Sequence, residues 1–480
     1  MGVSRIEEEK SGFAIGAFAL ILAGVLFPLA LAAWAFSTHG AFDDILDYAP
    51  LRNGFALLGL ASIVVLAAAC AELIIRARSK DAKNEFPSWP VKLIAIASVF
   101  ATLGIAAYFG VPQLVRSGDT PAQVLMTQSE AGSGMPGIAI AFYTEKLSLN
   151  TLEWGAAGGA KTKIVEEKPG NLHWFQLSGI EPGKQYEYLI NGGKPVLFKT
   201  PPASGGQLHF AASGDPHFGN ELSRNDLTRA MLGEIKDPAN NYSMLFVLGD
   251  TADRGFDDAL WKSALTSISQ ASSSVPTAYV LGNHDAIFGG AGLYQDYLCQ
   301  PRMANPAIGC LAKRIDNGNV HFLILDVEWG LEEYTPEQKQ WLEAQLAEIP
   351  KDDWCIVMSH TFYYSSGSVM EGWAWYDNKE AIDELVPLFE RSGVDMVFSG
   401  HKHDAEVLQK NGITYVVMGA FGGHPNPERE YVSPASIWYK QGAYAFADVV
   451  IVNSTDAELR VMNSNYSELY HTTIHQNKRA

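Results

Sequence analysis

The stretch LHFAASGDPH, residues 208–217, joins a run of apolar side chains to a polar cluster. The same pattern recurs in MLFVLGDTADRG (244–255), AYVLGNHD (278–285), CIVMSH (355–360) and VDMVFSGHKHD (394–404). Short apolar runs that are bounded by Gly, Pro, Asn or Asp are typical of buried β-strands. Each of these stretches therefore predicts a strand that ends in polar side chains.

Helical patterns lie between these strands. Residues 336–349 follow Thr335, a predicted N-cap with Gln338 three residues further on, and residues 379–391 end before Gly393. Strands that alternate with helices predict an α/β layered domain. In such folds ligands collect beyond the carboxyl ends of the strands, which is where all the polar clusters lie.

The polar clusters supply Asp, His and Asn side chains without any cysteine, a set that suits hard or borderline divalent cations. A single cluster of this kind is more often a helix cap or a surface loop. Together the clusters provide enough ligands for two metals that share one carboxylate. The candidate ligands are Asp215, His217, Asp250, Asn283, His360, His401 and His403.

The ordered set Asp-x-His, Gly-Asp-x-x-Asp-Arg-Gly, Gly-Asn-His-Asp, a later His and Gly-His-x-His resembles the calcineurin-like metallophosphoesterase family. That family's fold is a two-sheet β-sandwich flanked by helices, and we expect 413–418, 444–452 and 459–462 to be strands of its second sheet. By the resemblance, one metal would be held by Asp215, His217 and His403, the other by Asn283, His360 and His401, and both by Asp250.

The resemblance also implies roles for three residues outside the ligand set. His284 would protonate the leaving oxygen, a general-acid role that is typically worth about 10²–10⁴-fold in rate. Asp253 resembles the residue that orients this histidine in protein Ser/Thr phosphatases, and Arg254 resembles their phosphate-gripping arginine. The alternative for Asp253 and Arg254 is a salt bridge within the turn.

Residues 1–117 contain three long apolar runs, which predict transmembrane helices over about 13–36, 53–72 and 93–115. A helix needs about 20 apolar residues to cross the hydrocarbon core of a bilayer. A cleaved signal peptide has a shorter apolar core than the first run, and three runs in succession argue against the buried helices of a soluble protein. We therefore expect this segment to bind the lipid bilayer.

The orientation follows from the loop between the second and third runs, because basic residues mark the cytoplasmic side of a membrane protein. This places the N-terminus in the cytoplasm and everything after the third run outside it, in the periplasm or the extracellular space. The basic residues of the loop are Arg76, Arg78, Lys80, Lys83 and Lys92.

The net charge of the chain is −18, and residues 1–117 hold as many basic as acidic side chains. The whole excess of acidic residues therefore lies in 118–480. A strongly acidic domain is a poor match for nucleic acid, whose binding depends on Lys and Arg side chains that neutralise phosphates. We expect no nucleic-acid partner.

Residues 118–203 read as a small all-β module with short strands and regular turns, and residues 204–480 as the catalytic domain. The stretch 177–190, with its Pro-Gly-x-x-Tyr-x-Tyr corner, resembles the end of a fibronectin III-like β-sandwich, which precedes the catalytic domain in purple acid phosphatases. Those enzymes carry a tyrosine where this chain has Asp253, so we expect no purple chromophore. Whether Cys299 and Cys310 form a disulfide stays open.

We predict a membrane-anchored, extracytoplasmic phosphoester hydrolase that uses two divalent metal ions, Mn, Fe or Zn, and a metal-bridging hydroxide. Among such hydrolases we expect an acid-phosphatase-like phosphomonoesterase that acts on a small phosphoester. A phosphodiesterase on a nucleotide or lipid-linked substrate is one alternative. A non-catalytic, metal-binding sensor or receptor ectodomain is the alternative of another class.

Overall fold

The chain divides into two compact units, Met1–Val115 and Arg116–Ala480. The structure is a computed structural model. It describes residues 19–33, 49–78, 88–114, 116, 118–130, 133–203, 205–299, 308–331, 334–370 and 373–477.

The first unit is helical, with α1 (Ala19–Ala33), α2 (Ala49–Arg78) and α3 (Trp89–Leu114). Ala56–Ile75 in α2 and Trp89–Pro112 in α3 are long and apolar enough to cross a membrane. The described part of α1 is shorter, and the ends of the predicted span 13–36 lie outside the described residues. Within the described residues the unit thus holds two candidate spans, where the sequence predicts three.

The second unit begins with seven strands in residues 118–203. β1, β2 and β5 belong to a nine-stranded sheet, because Leu125 of β1 pairs in parallel with Thr277 of a later strand. The other four strands form a separate sheet in the order β4-β3-β6-β7. The domain boundary near residue 203 stays a prediction. The strands are β1 (Gln123–Thr127), β2 (Gly137–Ser148), β3 (Thr151–Ala156), β4 (Thr162–Val165), β5 (Gly170–Leu177), β6 (Gln185–Ile190) and β7 (Val196–Lys199).

The remaining residues alternate strands with helices, as the apolar patterns predict. The strands are β8 (Leu208–Ser213), β9 (Met244–Val247), β10 (Thr277–Tyr279), β11 (Lys313–Asn317), β12 (Val320–Ile324), β13 (Trp354–Ser359), β14 (Val369–Met370), β15 (Trp373–Ala374), β16 (Met396–Ser399), β17 (Ala405–Lys410), β18 (Ile413–Met418), β19 (Ser436–Lys440), β20 (Ala445–Ile451), β21 (Asp456–Asn463) and β22 (Glu468–His475). The helices are α4 (Asn225–Lys236), α5 (Asp258–Ser272), α6 (Asn283–Ala286), α7 (Gly290–Leu298), α8 (Pro336–Glu348) and α9 (Lys379–Ser392).

Two large sheets form the body of this unit. The nine-stranded sheet has the order β22-β21-β20-β8-β9-β10-β1-β2-β5, and the seven-stranded sheet has the order β11-β12-β13-β16-β18-β17-β19. β8, β9 and β10 run parallel in the first sheet, as do β12, β13, β16 and β18 in the second. Parallel strands bring their carboxyl ends to one edge of a sheet, which is where the predicted ligands follow.

The expectation that 413–418, 444–452 and 459–462 all belong to the second sheet was wrong for the last two. β18 lies in the seven-stranded sheet, but β20 pairs antiparallel with β8, and β21 pairs antiparallel with β20. Both strands therefore extend the nine-stranded sheet. An apolar run indicates that a strand is buried without indicating which strand it pairs with.

The predicted N-cap of one helix and the predicted end of the other are both confirmed. The hydroxyl of Thr335 accepts the N–H of Gln338 at 3.2 Å, and this contact starts α8. Gly393 ends α9 in the left-handed conformation at φ 66°, which glycine adopts without a steric penalty.

Cys299 and Cys310 are free thiols in the structure. The thiol of Cys299 is buried and donates to the carbonyl of Cys310 at 3.2 Å.

Aromatic side chains from both sheets meet in the core between them. Phe210 lies 5.4 Å from Phe322 and 5.8 Å from Phe398, centroid to centroid, and Phe246 lies 4.7 Å from Phe322. Phe210 and Phe246 belong to the nine-stranded sheet, whereas Phe322 and Phe398 belong to the seven-stranded sheet. This cluster holds the sheets together behind the edge that carries the predicted ligands.

We predict that Phe322→Ala lowers the free energy of unfolding by about 3–5 kcal/mol, because it leaves a cavity between the sheets. Denaturant unfolding of the detergent-solubilised chain, followed by near-UV circular dichroism, measures the loss. Leu222→Ala is the control, since Leu222 is 62% exposed and its truncation should change stability by less than about 0.5 kcal/mol. Equal effects of the two substitutions would contradict the prediction.

Candidate active site

All the sequence-predicted ligands lie at the carboxyl ends of parallel strands from both sheets. Asp215 follows β8, Asp250 follows β9, and Asn283 begins α6 after β10, all in the nine-stranded sheet. His360 follows β13 and His401 follows β16 in the seven-stranded sheet. The site therefore forms only where the two sheets meet.

The backbone is strained at four of the predicted ligands. Asp215, His217, Asp250 and His401 have positive φ angles of 62°, 43°, 49° and 65°. Such angles are uncommon for residues other than glycine and cost of order 1–3 kcal/mol each. The concentration of strain at one set of polar side chains is typical of functional sites.

The first group of side chains consists of Asp215, His217, Asp250 and His403, whose ligand atoms lie within 4.8 Å of one another. The Nε2 atoms of His217 and His403 are 2.9 Å apart. Nε2 of His403 lies 3.3 Å from Oδ1 of Asp215, and Nε2 of His217 lies 3.4 Å from Oδ2 of Asp250. Two imidazoles and two carboxylates thus face one small volume.

The second group consists of Asp250, His360 and His401, whose ligand atoms also lie within 4.8 Å of one another. Nε2 of His360 is 3.3 Å from Oδ1 of Asp250, 3.2 Å from Nδ1 of His401 and 3.1 Å from Oδ1 of Asn283. The amide oxygen of Asn283 therefore joins this group. Asp250 belongs to both groups and turns one oxygen toward each.

Asp250 attracts positive charge in both groups, although burial lowers the pKa of His217 and, together with His360, holds that of His401 well below its usual value. Burial opposes the ionisation of Asp250, but His360 and His284 outweigh it and hold the pKa of Asp250 well below its usual value. Burial likewise lowers the pKa of His360, yet Asp250 and Asp215 raise it to about 10. Carboxylates that stabilise a buried imidazolium so strongly also attract divalent cations.

The donor set fits two divalent cations. Oδ1 of Asp215 is buried and has no hydrogen-bond partner among the described residues, although it faces the first group. A buried carboxylate oxygen without a partner is costly unless a cation neutralises it. Carboxylate, imidazole and amide donors suit Mn²⁺, Fe²⁺ or Zn²⁺.

Backbone carbonyls fix the orientation of two of the imidazoles. Nδ1 of His360 donates to the carbonyl of Leu248 at 2.7 Å, and Nδ1 of His403 donates to the carbonyl of His424 at 2.6 Å. With Nδ1 bonded to a carbonyl, Nε2 is the atom that each imidazole turns toward the ligand group, and a bound cation would take the place of any proton there, as is usual for metal-binding histidines.

His284 lies beside the first group, with its ring centroid 4.6 Å from that of His217 and its side chain partly exposed. Its Nδ1 atom donates to the backbone carbonyl of Asp253 at 2.8 Å, and its own N–H donates to Oδ1 of Asp250 at 2.9 Å. The carboxylate of Asp253 is further from it, at 3.9 Å. The main chain of Asp253 therefore sets the orientation of His284.

The carboxylate of Asp253 lies between Asn220 and the first group. It accepts from the side chain of Asn220 at 2.9 Å and lies 3.5 Å from Nδ1 of His217. Burial raises the pKa of Asp253, but His217 and His284 outweigh burial and lower it to about 2. Arg254 makes the local ion pair that its position allows, with Asp257 at 3.4 Å.

Two residues near the ligands were not singled out from the sequence. Asp285 is fully buried and accepts from the N–H groups of Ala252 and Gly282, while burial and Asp250 raise its pKa to about 7. In the sequence, the signal for Asp285 was its position directly after His284. Trp329 packs on His401 at 4.6 Å, and only the pairing of β12 with β13 brings it there.

Residues 208–405, which contain all five motifs, match the sequence profile described as calcineurin-like phosphoesterase. Purple acid phosphatase 18 of Arabidopsis thaliana is 23% identical over 341 residues, which cover 65% of this chain and 75% of that protein. A nucleotide pyrophosphatase/phosphodiesterase of Hordeum vulgare is 22% identical over 332 residues, which cover 60% of this chain and 88% of that protein.

Two solved structures share the fold. A purple acid phosphatase from seeds of yellow lupin (Lupinus luteus) matches with a TM-score of 0.62 at 17% identity over 75% of each chain. PhoD matches with a TM-score of 0.57 at 12% identity over 74% of this chain and 90% of its own.

We predict that Gly282→Ala abolishes metal binding while the chain stays folded. A Cβ atom at Gly282 would overlap the backbone nitrogen and Oδ1 of Asp250, so the shared carboxylate would have to move. The metal content per chain, measured by elemental analysis after gel filtration, tests this. Gly233→Ala is the matched control, because its Cβ atom would meet nothing within 4 Å. Normal metal content in Gly282→Ala would contradict the prediction.

Proposed function

We propose that this chain acts as a membrane-anchored phosphomonoesterase outside the cytoplasm. It carries a calcineurin-like metallophosphoesterase domain and is a metal-dependent phosphoester hydrolase. The observation that carries the proposal is the pair of ligand groups that share Asp250. The two groups give the domain places for two divalent metals, Mn, Fe or Zn.

In this proposal the two groups hold one cation each. Asp215, His217 and His403 would hold one cation, Asn283, His360 and His401 would hold the other, and Asp250 would contribute to both sites. Divalent cations in such a pair supply a nucleophile from water near neutral pH and withdraw negative charge from the phosphoryl oxygens. The residues of the chain would hold the cations and orient the substrate beside them.

His284 is the proposed general acid. The hydrogen bond from its Nδ1 atom to the carbonyl of Asp253 fixes the ring, so Nε2 is the atom that gives a proton to the leaving oxygen. Because its side chain is partly exposed, a substrate can reach it. Arg254 is the proposed phosphate contact, and its ion pair with Asp257 would hold the guanidinium near the loop that carries Asp250.

The anchor is proposed from the first unit. Ala56–Ile75 and Trp89–Pro112 support two spans, and the first apolar run would supply the third. The basic residues between the second and third runs favour a cytoplasmic loop there, so the N-terminus lies in the cytoplasm and residues 116–480 lie outside it.

Residues 118–203 are proposed to form a fibronectin III-like sandwich. The arrangement of β1-β2-β5 against β4-β3-β6-β7 supports this, because three and four strands in these orders make a sandwich of that type. The hydroxyl of Tyr186 accepts the N–H of Glu181 at 2.8 Å, a contact that resembles a tyrosine corner.

A phosphodiesterase is the second candidate, because one relative is named a nucleotide pyrophosphatase/phosphodiesterase. We predict that the detergent-solubilised full chain hydrolyses 4-nitrophenyl phosphate at least about tenfold faster than bis(4-nitrophenyl) phosphate, since a monoester dianion offers more negative oxygen to two cations than a diester monoanion does. A chelator should abolish both activities, and Mn²⁺, Fe²⁺ or Zn²⁺ should restore them. Faster diester hydrolysis would favour the second candidate.

We predict that His284→Ala lowers kcat by about 10²–10⁴-fold while the metal content stays unchanged. The loss should be greater for an alkyl phosphate than for 4-nitrophenyl phosphate, because a poor leaving group depends more on protonation. Steady-state kinetics and elemental analysis measure the two effects. His471→Ala is the control, since His471 is an exposed histidine on β22. An unchanged kcat would refute the acid role.

Asp253→Asn provides the contrast within the same experiment. Asparagine keeps the backbone carbonyl that bonds His284 but loses the carboxylate charge beside His217. Metal should therefore dissociate more readily, while the dependence of the rate on the leaving group stays that of the wild type. If Asp253→Asn instead reproduces the leaving-group dependence of His284→Ala with full metal content, the carboxylate of Asp253 orients His284.

A further inference from the structure

Three aromatic side chains from separate segments surround His401. Their ring centroids lie 4.6 Å (Trp329), 4.9 Å (Trp375) and 5.8 Å (Phe362) from that of His401. Trp329 and Trp375 also contact each other at 5.2 Å. An apolar surface thus lies directly beside the second ligand group.

The three rings differ in how much they are exposed. Phe362 is only 4% exposed and packs on Trp375 at 5.7 Å, whereas Trp329 and Trp375 are partly exposed. Tyr363, which neighbours Phe362 in the chain, points into the core and packs on Phe389 instead. We call the two partly exposed tryptophans, Trp329 and Trp375, the indole wall.

The backbone on both sides of the indole wall is held by hydrogen bonds. The carbonyl of Trp329 accepts from the hydroxyl of Thr361 at 2.5 Å and from the amide of Asn378 at 3.2 Å. The N–H of Trp375 donates to the carbonyl of Ser368 at 2.9 Å.

A buried lysine completes this support. Nζ of Lys402, from the segment between the ligands His401 and His403, donates to the carbonyl of Trp375 at 3.2 Å. The wall is therefore tied to the same loop that carries two ligands. A binding surface that is already fixed loses little conformational entropy when a ligand packs on it.

We propose that the indole wall selects phosphoesters whose leaving group carries a planar aromatic ring, such as an aryl group or a nucleobase. This inference rests on the proposed phosphoesterase function. A phosphoryl group held by the two ligand groups would bring its ester substituent within reach of the rings around His401, and a planar ring there would pack on an indole. Stacking of aromatic rings stabilises such a complex, whereas an alkyl group gains less from the same contact.

The competing explanation is that the indoles only support His401. In that case their loss would disturb the second ligand group and impair all substrates alike. A comparison of ligands with and without a ring distinguishes the two explanations. For each ligand, the Kd or rate constant of the variant is divided by that of the wild type, so the intrinsic reactivity of the ligand cancels.

The test uses the full chain in detergent, loaded with Mn²⁺. Calorimetry measures the Kd of phenylphosphonate and of methylphosphonate, which are not hydrolysed, and kinetics compares phenyl phosphate with glycerol 2-phosphate. The variants are Trp329→Leu, Trp375→Leu and Trp329→Phe. The matched control is Trp174→Leu, because Trp174 is a partly exposed indole on β5.

We expect both leucine variants to weaken binding of phenylphosphonate about tenfold, with methylphosphonate changed less than about twofold. KM for phenyl phosphate should rise in parallel, Trp329→Phe should retain most of the affinity, and the metal content should not change. Equal losses for both phosphonates, or no loss for either, would overturn the inference. Failure of the wild type to hydrolyse any substrate would overturn the proposed function alone, since the phosphonates still test the wall.

Discussion

The carboxylate of Asp250 is the contact on which the arrangement of the site depends. Oδ2 lies 3.4 Å from Nε2 of His217, and Oδ1 lies 3.3 Å from Nε2 of His360. His217 follows β8 of the nine-stranded sheet and His360 follows β13 of the seven-stranded sheet. The side chain of Asp250 therefore links the predicted ligands of both sheets. The phenylalanine cluster matters because it packs the two sheets together, and Gly282 matters because it leaves the space that this carboxylate occupies.

This shared carboxylate also gives the acidic composition a local meaning. Asp215 and Asp250 are almost completely buried, and buried carboxylates are stable only when cations or hydrogen bonds compensate them. Two bound divalent cations would make the site locally positive within a chain of net charge −18. An anionic phosphoester would then be attracted at short range by the cations, in a domain that repels it at long range.

The sequence predicted the parts of the site that depend on local order along the chain. Each motif follows its strand, and α8 begins at Thr335, because apolar runs and capping residues act within a few positions. Contacts between strands that lie far apart in the chain were not predictable in this way. Strand pairing placed β20 beside β8 and brought Trp329 to His401, and the loops after β8, β9 and β10 put the carboxylate of Asp253 nearer to His217 than to His284.

The most direct test is the number of divalent metal ions bound per chain in the wild type and in Asp250→Asn, a change that keeps the shape of the side chain. Asp448→Asn is the control, because Asp448 is equally buried but lies in a separate network with His209 and Tyr242. We expect about two ions for the wild type and the control and a loss of at least one in Asp250→Asn. Full metal content in Asp250→Asn would contradict it.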